Sequence, residues 1–177
     1  KRIQEEAVAI ARAAGMRILG PNCLGAFNTA SAVCLSPSVT MSVERLQRGN
    51  VGVVSQSGAL QTAMFIRAFD AGIGFSSAIT LGNQADLELS DGFEYLVDEP
   101  ETKAILLYVE GLKDHERFKV AANRAREIGK PVVAVKAGRT DAGAAMANSH
   151  TASLTGSYRS FAALCESLGI ILTDQPD

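Results

Sequence analysis

Asn148 to Ser157 reads NSHTASLTGS and holds His150, one of only two histidines in the chain. Its neighbours are small and hydroxylic, with no hydrophobic period to draw an imidazole into a core, so the ring belongs to a loop. Such a loop has few apolar anchors and can move, and imidazole is nucleophilic near neutral pH without special tuning. Two other stretches offer what that nucleophile would need. SQSGAL, Ser55 to Leu60, follows a β-branched run and leads into a helical pattern. Free amides of a first helical turn, the hydroxyls of Ser55 and Ser57, a Gly58 that admits close approach and the positive end of a helix dipole together outline a phosphate cradle. Gln56 and Ala59 complete that turn. YVEG places Glu110 at the end of an apolar strand, where a carboxylate needs a specific partner. Each stretch alone has a plainer account: a surface histidine, ordinary N-capping, a solvated loop acid. Together, an imidazole between a phosphate cradle and a carboxylate suits a phosphoryl carrier.

The elements that must position these loops follow from hydrophobic spacing. The first fifteen residues form a helix with Ile3, Ala7, Ile10, Ala11 and Ala14 on one face and Gly15 as its stop, so the chain reads as opening inside a longer one. Met16 to Leu19 reads as a short strand, and Gly20-Pro21, Asn22 and Gly25 as tight turns. Residues 29–48 lack a sustained period and read as a connector. From Val51 onward, apolar strands alternate with amphipathic helices: Val51 to Ser55, Ser76 to Gly82, the AILLYV and PVVAVK runs, and Ile170 to Leu172, with a last helix over Tyr158 to Leu168. Strands so uniformly apolar are buried on both faces, which predicts an α/β fold with a five-stranded parallel sheet in a flavodoxin-like three-layer sandwich. Ligands of such sheets bind beyond the carboxyl ends of the strands, where Ser55, Glu110 and Lys136 to Arg139 lie. Asp86 and Asp91 match no metal template and read as helix caps, with Ser90 or Asp91 capping the helix that carries Phe93. His115, between Asp114 and Glu116, reads as a surface residue.

Composition narrows the class of function. A net charge of −2 with dispersed Lys and Arg leaves no electrostatic footprint for nucleic acid. No apolar run approaches a bilayer span and no export leader opens the chain. Three cysteines without CxxC spacing suggest neither a disulfide framework nor zinc, which fits a reducing cytoplasm.

Six segments, GPNCLGAFN, GVVSQSGAL, LGNQADLELSDGFEYL, LYVEG, KPVVAVKAGRTDAG and SHTASLTGS, occur in the order and spacing of the nucleoside-diphosphate-forming acyl-CoA synthetases. The chain resembles these relatives of the succinyl-CoA synthetase α subunit over nearly its whole length. The resemblance implies that His150 is phosphorylated during turnover, that Glu110 steadies its ring, and that Ser55, Gln56, Ser57, Gly58 and Ala59 bind phosphate. It also implies that Asn22 and Cys23 of the PNC turn lie by the CoA thiol. Ala152, where many relatives have Gly, is a departure that would stiffen the loop.

On the same resemblance, residues 1–28 are the tail of a Rossmann-like CoA-binding domain, 29–48 a connector and 49–177 the flavodoxin-like domain. CoA and a small carboxylic acid are substrates, and ATP or ADP with Mg2+ belongs to an ATP-grasp domain or subunit elsewhere. The fragment binds no cofactor tightly and is inactive alone, and the full-length enzyme is an oligomer. The implied reaction is acyl-CoA + NDP + phosphate ⇌ acid + CoA + NTP. A competing expectation is a regulatory ligase-like domain fused to a protein lysine acetyltransferase; retention of His150 with Glu110 favours the ligase. A plain interaction domain would leave the histidine loop unexplained.

Overall fold

The computed structural model describes residues 2–38, 47–139 and 157–173. Among the described residues twelve elements run in the order α1 (Arg2–Ala13), β1 (Ala26–Asn28), β2 (Val33–Leu35), β3 (Arg48–Ser55), α2 (Gly58–Asp70), β4 (Phe75–Thr80), α3 (Leu89–Asp98), β5 (Ala104–Val109), α4 (His115–Glu127), β6 (Val132–Lys136), α5 (Tyr158–Leu168) and β7 (Ile171–Thr173). They form one seven-stranded sheet in the order β2-β1-β4-β3-β5-β6-β7. The five strands from β4 to β7 are parallel, as the apolar runs predict, and their spatial order is that of a flavodoxin-like sheet.

Side chains alternate across each strand, and the two faces collect different helices. Val54, Ile105 and Leu107 pack with Phe93 of α3, Phe118 of α4 and Phe161 of α5. Val53 and Ala78 point the other way, into a cluster built on Phe65 of α2 with Phe27 and Phe75. The ring of Phe65 lies 4.6 Å from Phe75 and 5.5 Å from Phe27. Helix α3 is held at its far end by Lys130, whose ammonium donates to the carbonyls of Leu96 (3.2 Å), Val97 (2.6 Å) and Glu99 (2.8 Å). Those three carbonyls end a helix and have no N–H of their own helix to meet.

Four features depart from the sequence expectations. Residues 26–28 and 33–35 form an antiparallel hairpin, and β1 pairs antiparallel with β4, so the sheet gains two strands beyond the expected five. Met16 to Leu19 is not a regular strand. It runs along the irregular loop after β4, taking bonds from Leu87 N to Ile18 O and Ala85 N to Gly20 O, and a carboxylate of Asp86, rather than a second strand, accepts from Ile18 N. Helix α3 is capped by Glu88 instead of Ser90 or Asp91. Glu88 accepts from Ser90 N while Asp91 reaches back to Glu88 N, because fully buried Leu89 must already be helical. Asp86 caps nothing: its buried carboxylate receives Arg12 (2.6 Å) and Arg17 (2.8 Å), tying α1 and the following segment to the loop after β4.

Candidate functional site

The chain steps from β3 to β4 on one side and then returns past β3 to β5 on the other, which opens a crevice between the carboxyl ends of β3 and β5. That is where a sheet of this order accepts ligands. Ser55 and Glu110 stand at its two lips.

The turn from β3 into α2 is organised by its two serines. Ser55 Oγ donates to Ser57 O (2.7 Å) and accepts from Ser57 N (3.1 Å). Ser57 keeps an extended backbone, accepts from Leu60 N at 3.4 Å as the N-cap, and its carbonyl takes the first helical bond from Gln61 N. Both hydroxyls are thus engaged within the turn, and the amides of Gly58 and Ala59 are what the helix start presents outward. Ala59 is exposed and Gly58 half-buried. Gly58 is also a point of close approach: a Cβ there would lie 2.7 Å from Leu24 Cγ. The PNC turn is therefore seated against the helix start through Leu24. Within that turn Asn22 has a left-handed backbone (φ 58°) and donates from Nδ2 to Asn83 Oδ1 at 3.3 Å. Cys23 is half-buried, its thiol 3.7 Å from Leu19 O.

Gln56 points across the crevice floor. Its Oε1 accepts from the backbone amides of Glu110 and Gly111, the latter at 2.9 Å, and its Nε2 donates to Gly111 O at 2.7 Å. From the other side Lys136, which ends β6, donates to Glu110 O (2.9 Å) and Ala137 O (2.7 Å). Burial pulls the Lys136 ammonium below the usual lysine range, against the opposing attraction of the Glu110 carboxylate. Burial, and after it the Glu110 charge, pushes the Tyr108 phenol up to about 12. Tyr108 is accordingly a neutral group in the crevice wall at physiological pH.

Of the sequence candidates, the structure brings together Ser55, Gln56, Ser57, Gly58, Ala59 and Glu110, with Asn22 and Cys23 on the adjoining turn. His150 and the rest of its SHTASLTGS segment up to Gly156 lie outside the described residues. In the sequence Lys136 reads only as the end of a strand. A lysine closing the apolar run PVVAVK was the available signal, since a cation there must be bonded if buried.

Residues 48–177 match the family described as succinyl-CoA ligase like flavodoxin domain, and the chain belongs to that family. It is 42% identical over its whole length to the acetate–CoA ligase [ADP-forming] II subunit alpha of Pyrococcus furiosus, covering 37% of that protein. It is 35% identical to the 4-hydroxybutyrate–CoA ligase [ADP-forming] of Nitrosopumilus maritimus over 97% of this chain and 24% of the relative. Among solved structures, the acetyl-coenzyme A synthetase 1 of Ca. Korarchaeum cryptofilum in complex with phosphate and ADP superposes with a TM-score of 0.88 at 33% identity, over 99% of this chain and 37% of the other. The chain is a member of the nucleoside-diphosphate-forming acyl-CoA synthetase group, and it spans less than two fifths of the length of these relatives.

Proposed function

We propose that the chain is the phosphohistidine-carrying part of an acyl-CoA synthetase that interconverts acyl-CoA, NDP and phosphate with acid, CoA and NTP. The observation that carries this reading is the crevice between β3 and β5, where a helix start with outward amides and the Glu110 carboxylate share one floor through Gln56. Phosphate oxygen attacks the thioester carbonyl, the C–S bond breaks, and CoA leaves as thiolate. A nitrogen of His150 then attacks the phosphorus of the acyl phosphate, and the carboxylate leaves. NDP finally takes the phosphoryl group from the ring. The amides of Gly58 and Ala59 offset the charge of the transferring group without reorganising, because the Ser55–Ser57 bonds already fix them. Glu110 accepts from the imidazole N–H, sets the tautomer and offsets the positive charge the ring develops.

Asn22 and Cys23 sit by the thiol end of CoA, on the turn that Leu24 seats against the helix start. CoA-binding and ATP-grasp parts, the latter holding nucleotide with Mg2+, complete the site, so this chain alone has no turnover. The test is labelled ATP with magnesium on the full-length enzyme. An acid-labile, alkali-stable phosphoprotein is expected, absent in His150→Ala; a His150→Ala enzyme that still forms it assigns the carrier to another residue.

A further inference from the structure

We infer that Gln56 is a positioning residue rather than a phosphate ligand: its side chain fastens the anion-binding turn to the backbone that carries Glu110, so that the two halves of the site move as one. This rests on the phosphoryl-transfer reading above. Gln56 is 4% exposed, and a buried amide destabilises the fold unless both of its ends are bonded. Here both ends are spent on one target, the Glu110–Gly111 peptide, and none on its own turn. The ladder between β3 and β5 has its last register pair at Ser55 and Tyr108. The Gln56 backbone N–H still donates to Tyr108 O at 3.2 Å, and beyond that bond the Gln56 side chain makes the link to the Glu110–Gly111 backbone.

Lys136, 6% exposed, closes the same peptide from β6 by taking Glu110 O. The N–H and C=O groups of Glu110 and Gly111 are thus all held by side chains from the two flanking strand ends. The Glu110 Cα has a position fixed by neighbours on both sides. Flanked by Ser55 and Ser57, Gln56 cannot shift unless the cradle turn shifts with it. An apolar side chain of similar length would fill the space but leave the amides of Glu110 and Gly111 to find other acceptors, and the carboxylate would move with them.

The test is a double-mutant cycle on phosphoenzyme formation in the full-length ligase, because coupling distinguishes positioning from mere stabilisation. Gln56→Leu is expected to slow that step about 10- to 100-fold, the cost of a displacement of about an ångström at a reacting group. In a Glu110→Gln background the same substitution is expected to add almost nothing, since the group it positions is already lost. Full, independent losses from the two substitutions would overturn the inference while leaving the phosphoryl-transfer reading standing. A Glu110→Gln enzyme with wild-type rate would overturn both. If Gln56→Leu does not fold, Gln56→Met enters the same cycle, and failure of that variant to fold as well would assign Gln56 to the fold alone and refute the inference.

Discussion

Phe27→Ala is the perturbation that asks whether the hairpin before β3 belongs to the same folding unit as the parallel sheet. Phe27 is 3% exposed although it sits on a strand of only three residues, and its ring meets Phe65 at 5.5 Å. Phe65 in turn lies 4.6 Å from Phe75, so removing Phe27 opens one side of an aromatic cluster that fills the space between α2 and the sheet. A buried Phe→Ala change costs about 3–5 kcal/mol, lost transfer energy plus the cavity left behind. Against a total stability of about 5–15 kcal/mol that is at least about a fifth of the whole. For a chain of this size the melting temperature should fall by roughly 6–20 °C, taking about 2–4 °C per kcal/mol. The assay is differential scanning calorimetry of the purified chain, with Phe27→Leu as a control that keeps most of the volume. A cycle with Phe65→Leu should return a coupling of about 0.5–1.5 kcal/mol for the ring pair. A separate early transition with the main peak unmoved would refute the reasoning, because the hairpin would then be an appendage and not part of the core.

The other two predictions concern the anchor of α1 and the helix start. Arg17 foremost, with Ile18 N and Arg12, holds the Asp86 carboxyl well below the usual carboxylate range. A carboxylate whose pKa is depressed on folding contributes stability above its unfolded pKa, about 3.9, that drains away as the pH falls towards the folded value. Asp86→Asn should therefore melt lower than wild type at pH 7, and the gap should narrow below about pH 4; a gap that is constant with pH would count against the ion cluster as its source. Gly58→Ala puts a methyl 2.7 Å from Leu24 Cγ. With Leu24 able to yield, a cost of about 1 kcal/mol is expected, together with weaker binding of inorganic phosphate by the full-length enzyme in calorimetric titration; wild-type binding would show that the turn seated on Gly58 does not shape the cradle.

How much of this was written in the sequence depends on the range over which each contact acts. The five parallel strands were legible because each is a local run of apolar, β-branched residues, and α5 was legible from Phe161, Leu164 and Leu168 and the Gly169 stop. The hairpin was not: AFN and VCL are too short to show a period, and the place of AFN, on which VCL pairs, is set by β4 some fifty residues away. Asp86 reads as a cap in the sequence because its guanidinium partners lie 74 and 69 positions off. At the site, residue types at strand ends pointed to the crevice, because strand order places every such loop on one edge of the sheet. What the types could not give was direction. SQSG reads as four equal contributors to a cradle, whereas the fold turns the hydroxyls of Ser55 and Ser57 inward and sends Gln56 across to another strand.

Among the described residues, Lys130 and Lys136 are each bonded only to carbonyl oxygens, three for one and two for the other, and burial lowers the pKa of both. An acylating reagent attacks a lysine only when the amine is neutral and there is room for the incoming group. Exposed Lys103 and Lys113 will be labelled at once, half-buried Lys130, tied to three carbonyls, more slowly, and buried Lys136 only after the structure around it opens. Timed labelling read by mass spectrometry would thus follow two places independently, the far end of α3 through Lys130 and the crevice floor through Lys136. The protein carries two built-in chemical clocks, and a substrate that tightened the floor would slow one of them while the other kept its pace.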